Sequence, residues 1–306
     1  METATFYFHS QDGKRIFARK WIAEGEPKAI LQIAHGMAEH IGRYGDFAQF
    51  LVQQGIYVYG NDHRGHGKTE EMDEDRGYYA DENGFETVVA DMKLLTDVIK
   101  QDYPNAPFFL LGHSMGSFLA RRYIQLYGEQ LDGTIFTGTG GHPGFVGKIG
   151  HYLAVREARK LGRRTPSPRM NSLTFGSYNK AFNPARTEFD WLTRDENEVD
   201  TYLADPLCGG VFTAGFFEDF LKGLLSLYEE DARIPKDLPV SLLSGDKDPV
   251  GKNTKGVLQN YHQLQSVGLK DVSYKFYPGA RHEILNETNK LEVYQDILEW
   301  IEKRLD

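Results

Sequence analysis

Apolar and polar positions follow two periods along this chain, and the switches between them mark out its elements. "TFYFH" and "RIFARKWI" read as two strands around the turn pair Asp12-Gly13. "AILQIAHG" from Ala29 is an almost unbroken apolar run ending in glycine, the pattern of a strand buried on both faces. "GDFAQFLVQQG" places Phe47, Phe50 and Leu51 on one helical face and stops at Gly55. "IYVYGNDHRGHG" is a short strand opening into a polar turn. "GFETVVADMKLLTDVIK" carries Phe85, Val88, Val89, Met92, Leu95 and Ile99 at helical spacing. The strand "FFLLG", a helix from Met115 and the strand "GTIFTG" follow. After a long interval the alternation resumes with "PVSLLSG", "TKGVLQNYHQLQSVG", "VSYKFYPG" and "KLEVYQDILEWIEKRL".

Strands and helices in this alternation predict an α/β fold: a mainly parallel sheet with helices on both faces. Ligands of such sheets bind beyond the carboxyl ends of the strands. The alternation breaks between about Gly141 and Pro235, an interval too long for a plain loop and with helical pieces of its own. It reads as an inserted cap over residues 141–235, on a core formed by 1–140 and 236–306. The acidic run "EEMDEDRGYYADE" from Glu70 reads as a solvated loop.

Composition narrows the functional classes. The 306 residues are 40% hydrophobic, enough for a sizeable core. A net charge of −9, from 35 Lys+Arg against 44 Asp+Glu, argues against nucleic acid as a partner. The single cysteine, Cys208, excludes an internal disulfide framework and a Cys-based zinc site. The first twenty residues lack the apolar core of a signal peptide, and no window approaches the roughly 18 apolar residues of a membrane span. The expected setting is cytoplasmic.

One junction carries chemistry. In "FFLLGHSMGSFLARRYIQ", Ser114 sits between an apolar strand and an amphipathic helix, with Gly112 and Gly116 two residues to either side. The glycines let the chain turn sharply, and the turn presents a hydroxyl beside the free N–H groups of a helix start. This is the G-x-S-x-G nucleophile elbow in the context the motif requires. A serine needs a base, usually a histidine oriented by a carboxylate, and in this order of elements both follow it in sequence. Position selects His282, between the last strand and the last helix. His262 falls inside a helical pattern, His113 adjoins the serine, and His142 and His151 lie in the cap. The carboxylate belongs after the preceding strand, where "LLSGDKDPVG" offers both Asp246 and Asp248. An oxyanion needs donors: the N–H of Met115, next to the serine, and that of Met37, behind His35-Gly36.

These segments carry a resemblance. "HGMAEH", "NDHRGHG", "GHSMGS", "GDKDPVG" and "GARHEILNE" occur in the order and at the separations found in monoacylglycerol lipases and bacterial lysophospholipases of the α/β-hydrolase superfamily, often grouped with serine aminopeptidases. The resemblance covers nearly the whole chain and is weakest in the cap, where "EARKLGRRTPSPR" has no counterpart. It implies an α/β-hydrolase fold and serine-dependent ester hydrolysis without a cofactor. It also implies that the catalytic acid is Asp248, with Ser114, His282, Met37 and Met115 in the roles reasoned above. His35, Asp62, His63, Arg64 and His66 resemble the family's structural turn residues.

Rival readings fit less well. "HGMAEH" has one residue too many for a metal-binding H-x-x-E-H and follows a strand. A binding protein on a hydrolase scaffold usually lacks one of the three catalytic residues. A small-acyl carboxylesterase or an aminopeptidase are the enzymatic alternatives, the latter using cap acids such as Glu188, Asp190, Asp195, Glu196 and Glu198 for a substrate amine. The cap also concentrates Lys148, Arg156, Arg159, Lys160, Arg163, Arg164 and Arg169 beside Ile149, Tyr152 and Leu153. Such a face is expected to stay solvated or to meet anionic lipid surfaces. Apolar cap residues, among them Phe145, Phe175, Phe212, Phe216 and Phe217, are divided between packing and lining a cleft over Ser114. The expected substrate is a single-chain lipid ester, a monoacylglycerol or lysophospholipid.

Overall fold

The computed structural model describes residues 2–70 and 75–305. The period-two segments form one sheet of eight strands: β1 (Glu2–His9), β2 (Arg15–Ile22), β3 (Ala29–Ala34), β4 (Ile56–Asn61), β5 (Phe108–His113), β6 (Gly133–Thr137), β7 (Val240–Gly245) and β8 (Val272–Tyr277), in the spatial order β1-β2-β4-β3-β5-β6-β7-β8. β2 pairs antiparallel with both β1 and β4; the ladders from β4 through β8 are parallel. Every residue of β3, β4, β5, β6 and β7 is buried, which explains why these segments read as continuous apolar runs. The order reverses beside β3 and β5, so the loops after these strands open a crevice at the carboxyl edge.

Two layers of helices cover the sheet. α1 (Gly45–Gln53) and α9 (Lys290–Glu302) bury Phe47, Leu51, Ile297 and Ile301 against Leu31, Ile33, Phe109 and Leu111. α2 (Gly84–Asp102), α3 (Met115–Tyr127) and α8 (Lys255–Ser266) bury Val88, Met92, Leu119, Ile124 and Leu264 against Ile30, Phe108 and Leu110. Alternate residues of β3 and β5 thus feed opposite cores, as the two-residue period of a strand requires.

The interval between β6 and β7 holds α4 (Gly144–Leu161), α5 (Pro168–Phe175), α6 (Glu196–Ala204) and α7 (Ala214–Ser226). It does not have a core to itself. Phe216, Phe217 and Phe220 of α7 belong to the same apolar cluster as Phe85 and Val88 of α2. Gly223 permits this contact, since a Cβ there would lie 2.4 Å from Cγ of Phe85. A small separate cluster, Trp191, Leu192 and Tyr202, gathers over the carboxyl edge of the sheet.

The acidic run differs from expectation. Residues 71–74 lie outside the described residues, but Glu70, Tyr78 and Tyr79 on either side are buried rather than solvated. The Glu70 carboxylate accepts the Gly65 N–H at 2.6 Å and the Lys14 ammonium at 2.8 Å, partners far from it in polarity pattern or in sequence. The "NDHRGHG" turn is likewise buried and closed on itself. Asp62 accepts the Ile41 and Lys68 N–H groups, Arg64 donates to Asp91 and Asp12, and His35 Nε2 accepts the His63 N–H. Burial and neighbouring imidazoles hold His63 well below the usual histidine range and press His35 and His66 down to about 3, so these rings are neutral packing groups.

The junction of β5, α3 and β3 is the tightest contact. A Cβ on Gly116 would lie 2.0 Å from the carbonyl oxygen of Ala34, and one on Gly112 would lie 2.4 Å from that of Gly116. Gly116→Ala is therefore expected to cost roughly 1–3 kcal/mol, as overpacking of a well-filled core does. Gly45→Ala, with φ of −57° and nothing within 4 Å, is expected to be neutral or slightly stabilising. Thermal unfolding of both variants checks this; equal midpoints would show that α3 has room to retreat.

Candidate active site

Ser114 turns the chain from β5 into α3 with φ 51° and ψ −118°, a region that costs a non-glycine residue about 1–3 kcal/mol. Hydrogen bonds from both sides hold it there. Its N–H donates to Thr137 O at 2.9 Å, and its carbonyl accepts the Ser117 N–H at 2.9 Å and the Ser117 hydroxyl at 2.6 Å. The serine is half-buried and lines a cavity of about 750 Å³ at the carboxyl edge of the sheet.

The loops after β7 and β8 meet beside it. Asp246 N–H donates to Tyr277 O and Lys247 N–H to Ala280 O, while a Cβ on Gly245 would lie 2.1 Å from the carbonyl oxygen of Ala280. This contact brings together residues 34 apart in sequence: His282 Nδ1 lies 3.0 Å from Asp248 Oδ1, with both side chains buried. Asp248 Oδ1 also accepts the Val250 N–H at 2.9 Å. Asp246 points elsewhere, accepting the Gly279 N–H at 2.8 Å and closing the other loop. The two acids that sequence alone left equivalent are therefore separated: only Asp248 faces the imidazole.

Burial alone would favour neutral His282. The Asp248 carboxylate, reinforced by Glu283 and Glu39, outweighs it and holds the imidazole above the usual histidine range. An imidazole that donates from Nδ1 to Asp248 has its Nε2 lone pair free to accept a proton. His113 lies against it with ring centroids 4.8 Å apart but hydrogen-bonds to the Thr137 hydroxyl, and burial presses it down to about 4.

The loop after β3 forms the facing wall. Met37 lines the cavity, and a Cβ on Gly36 would lie 3.3 Å from that of Ser114. Ala38 has φ 64°, and its carbonyl is held by the Tyr202 hydroxyl at 2.9 Å and the Gly209 N–H at 2.8 Å. The Met115 side chain is buried beneath Tyr79, whose hydroxyl lies 2.9 Å from its sulfur. Its amide is the first of α3, with no acceptor within the helix. Behind this wall Arg43 donates to Glu39 at 2.9 Å and in a fork to Glu283 at 2.6 and 2.7 Å, and all three side chains are at least nine-tenths buried. Despite burial, Arg43 lowers the Glu283 carboxyl to about 2.

Sequence reasoning missed Arg43, Glu283, Trp191 and Tyr202 as site residues. Glu283 stands in a quoted motif and Arg43 just beyond another, but their mutual contact spans 240 positions. Trp191 and Tyr202 lie in the irregular cap. Of the apolar cap residues, Phe175 lines the cavity, Phe212, Phe216 and Phe217 are in the main core, and Phe145 is 76% exposed. Most of the cap acids are committed elsewhere. Asp190 accepts from Thr187 and Arg186, Asp195 caps α6, and Glu198 pairs with Lys290. His40, Asp205 and Cys208 cluster together outside the residues that line this cavity, and His40 Nδ1 accepts the Gly42 N–H, leaving the proton on Nε2 to reach Asp205 at 2.9 Å. A cation would have to displace that proton and reverse the Gly42 contact, so the donor set suits a clamp between cap and β3 loop rather than a metal.

The sheet order, the elbow after β5 and the acid and histidine after β7 and β8 define an α/β-hydrolase fold. The chain belongs to the family described as "Serine aminopeptidase, S33", which matches residues 25–289. It is 29% identical to a monoacylglycerol lipase of Mycolicibacterium smegmatis over 97% of this chain and 96% of that protein. It is 30% identical to the monoglyceride lipase of Homo sapiens over 96% of this chain and 88% of that protein. Among solved structures, a highly thermostable carboxyl esterase from Bacillus coagulans, in complex with glycerol, matches with a TM-score of 0.93 and 28% identity, covering 100% of each chain.

Proposed function

We propose that this protein hydrolyses carboxylic esters of neutral single-chain lipids, monoacylglycerols foremost, through an acyl-enzyme on Ser114. The observation that carries this reading is the Asp248–His282 hydrogen bond opening into the same cavity as the strained Ser114 elbow. His282 Nε2 takes the Ser114 proton as Oγ attacks the ester carbonyl. The oxyanion is received by the N–H groups of Met37 and Met115. Collapse expels the alcohol, protonated by His282, and a water activated by the same imidazole releases the acid. Residues 141–235 act as the cap that roofs this cleft.

The electrostatics favour a neutral leaving group. The site holds the carboxylates of Glu39, Glu283 and Asp248 against one buried guanidinium, Arg43. Arg186 at the cavity mouth is paired with Asp200 at 2.7 Å. Among the described residues lining the cavity, a phosphate-bearing head group meets no unneutralised cation, which favours monoacylglycerols over lysophospholipids. Phe175, Trp191 and Leu192 give the acyl chain an apolar wall.

The cap also offers a surface. Phe145, Val146, Ile149 and Tyr152 form an exposed stripe on α4, with Lys148, Arg156, Arg159 and Lys160 beside it. Arg163, Arg164 and Arg169, expected in the same patch, are instead paired with Glu218 and Asp219, with Asp75, and with Glu157. We infer that the remaining stripe rests on anionic lipid, the source of the substrate. No helix of the described residues is long and apolar enough to cross a membrane.

Three outcomes check this reading. Ser114→Ala is expected to abolish ester hydrolysis, and Asp248→Asn to lower kcat by several orders of magnitude, with Asp246→Asn far milder. Because His282 must be neutral to act and its pKa lies above 6.5, wild-type kcat/KM is expected to fall as pH drops through a value above that figure. Full turnover by Ser114→Ala would remove the assignment.

Across esters from two to sixteen carbons, each buried methylene adds about 0.8 kcal/mol, so kcat/KM is expected to peak at medium or long chains and to be higher for monoacylglycerols than for lysophospholipids. A peak at acetate marks a carboxylesterase, and faster cleavage of aminoacyl anilides an aminopeptidase. Co-sedimentation with vesicles is expected to rise with phosphatidylserine, fall with salt and be lost in a Phe145→Glu/Val146→Glu double variant; indifference to all three rejects the surface.

A further inference from the structure

The cap segment between α5 and α6 reaches down to the histidine loop and is fastened to it through backbone. Trp191 O accepts the His282 N–H at 3.4 Å, and Leu192 O accepts the Glu283 N–H at 2.7 Å. Arg281 donates to the carbonyls of Asp190 and Thr193, and the Thr193 hydroxyl donates to Asn286 O at 2.8 Å. These bonds lay one side chain directly on the imidazole: the Trp191 ring lies 5.0 Å from that of His282 at an interplanar angle of 37°.

The indole has no freedom to leave. Trp191 is 6% exposed; Tyr178 lies 4.9 Å and Phe175 6.2 Å from its ring, and its backbone N–H donates to Asn179 Oδ1 at 2.9 Å. His282 is therefore held between a fixed indole from the cap and the His113 ring from β5. The two contacts are not equivalent. A neutral imidazole has no favourable charge interaction with a cation, whereas the face of an indole attracts one.

We propose that Trp191 is a positioning residue for His282, fixing the plane of the imidazole and stabilising the imidazolium that forms each time it takes a proton from Ser114 or from water. The proposal rests on Ser114 and His282 acting as base-assisted nucleophile. It gives the cap a part in the chemical step as well as in substrate choice. The other charged or titratable groups facing His282 are Asp248 from the β7 loop, Glu283 beside it, Glu39 from the β3 loop with Arg43 behind, His113 from β5, and Tyr178 from the cap, whose hydroxyl burial and Asp248 push up to about 12.

The test is the pH dependence of kcat and KM for Trp191→Phe, Trp191→Leu and Trp191→Met in the full chain, on p-nitrophenyl acetate and p-nitrophenyl octanoate. Fluorophosphonate labelling of wild type, absent in Ser114→Ala, fixes the nucleophile independently; if wild type is not labelled, the catalytic reading fails and this proposal with it. With labelling established, the Leu and Met variants are expected to lose roughly tenfold in kcat on both esters, the rate equivalent of a buried cation–π contact. Their acid limb is expected to move down by about one pH unit, while Phe stays close to wild type on both counts. Two non-aromatic replacements guard against one failing to fold. An effect confined to KM for the octanoate marks Trp191 as a pocket wall and overturns the proposal, as does equal loss in all three variants with an unmoved limb.

Discussion

The close approach of α3 to β3 is the constraint on which the rest of this structure depends. With only hydrogen on Gly116, the helix start sits against the carbonyls of Ala34 and His35. That contact forces the turn at Ser114 into a backbone region that serine avoids, and β6 and Ser117 hold it there by hydrogen bonds. It also sets the distance between the first amide of α3 and the loop that follows β3. The proposed nucleophile and the proposed oxyanion wall are thus consequences of one packing contact. A larger residue at position 116 would move both together, which no adjustment of the serine rotamer repairs.

A second constraint is electrostatic. Arg43 joins the β3 loop, through Glu39, to the histidine loop, through Glu283, so that the two walls of the cavity share one buried cation. Removing it would leave two carboxylates buried and unpaired, a loss of about 3–5 kcal/mol in comparable sites. The surplus negative charge has a second effect. It raises the proton affinity of His282, which suits the base proposed for it, and it would disfavour an anionic leaving group, in keeping with the neutral lipid proposed.

How far the sequence discloses this arrangement follows from the range of each interaction. The fully buried strands β3 to β7 announce themselves as apolar runs, and the elbow is a local motif whose glycines have a local cause. The order of loops then leads to His282 and to a pair of acids, but choosing Asp248 needs the resemblance or the structure, because Asp246 differs only in which neighbour its carboxylate meets. Glu70 misleads for the same reason: an acid within an acidic run looks solvated until Lys14 and the Gly65 amide are placed beside it. The cap is the least legible part. Trp191 sits in an irregular piece held by the histidine loop, and Tyr202 in the short helix α6, where its hydroxyl bond to Ala38 leaves no mark on the apolar period.

That dependence runs in both directions. The cap shares the main core through α7 and has backbone bonds to the histidine loop, so it is built into the hydrolase body at two places. Between them, Tyr202 and Gly209 hold the carbonyl of Ala38, whose left-handed backbone follows directly on Met37. A cap joined in this way to the oxyanion wall and to the base moves only by disturbing one or the other. The exposed surface of α4 and the 185–189 segment at the cavity mouth make neither contact, and on the proposed function substrate entry falls to them. On the proposed function, a lipid surface that draws on the exposed apolar stripe of α4 acts on this entrance and leaves the proposed catalytic geometry in place.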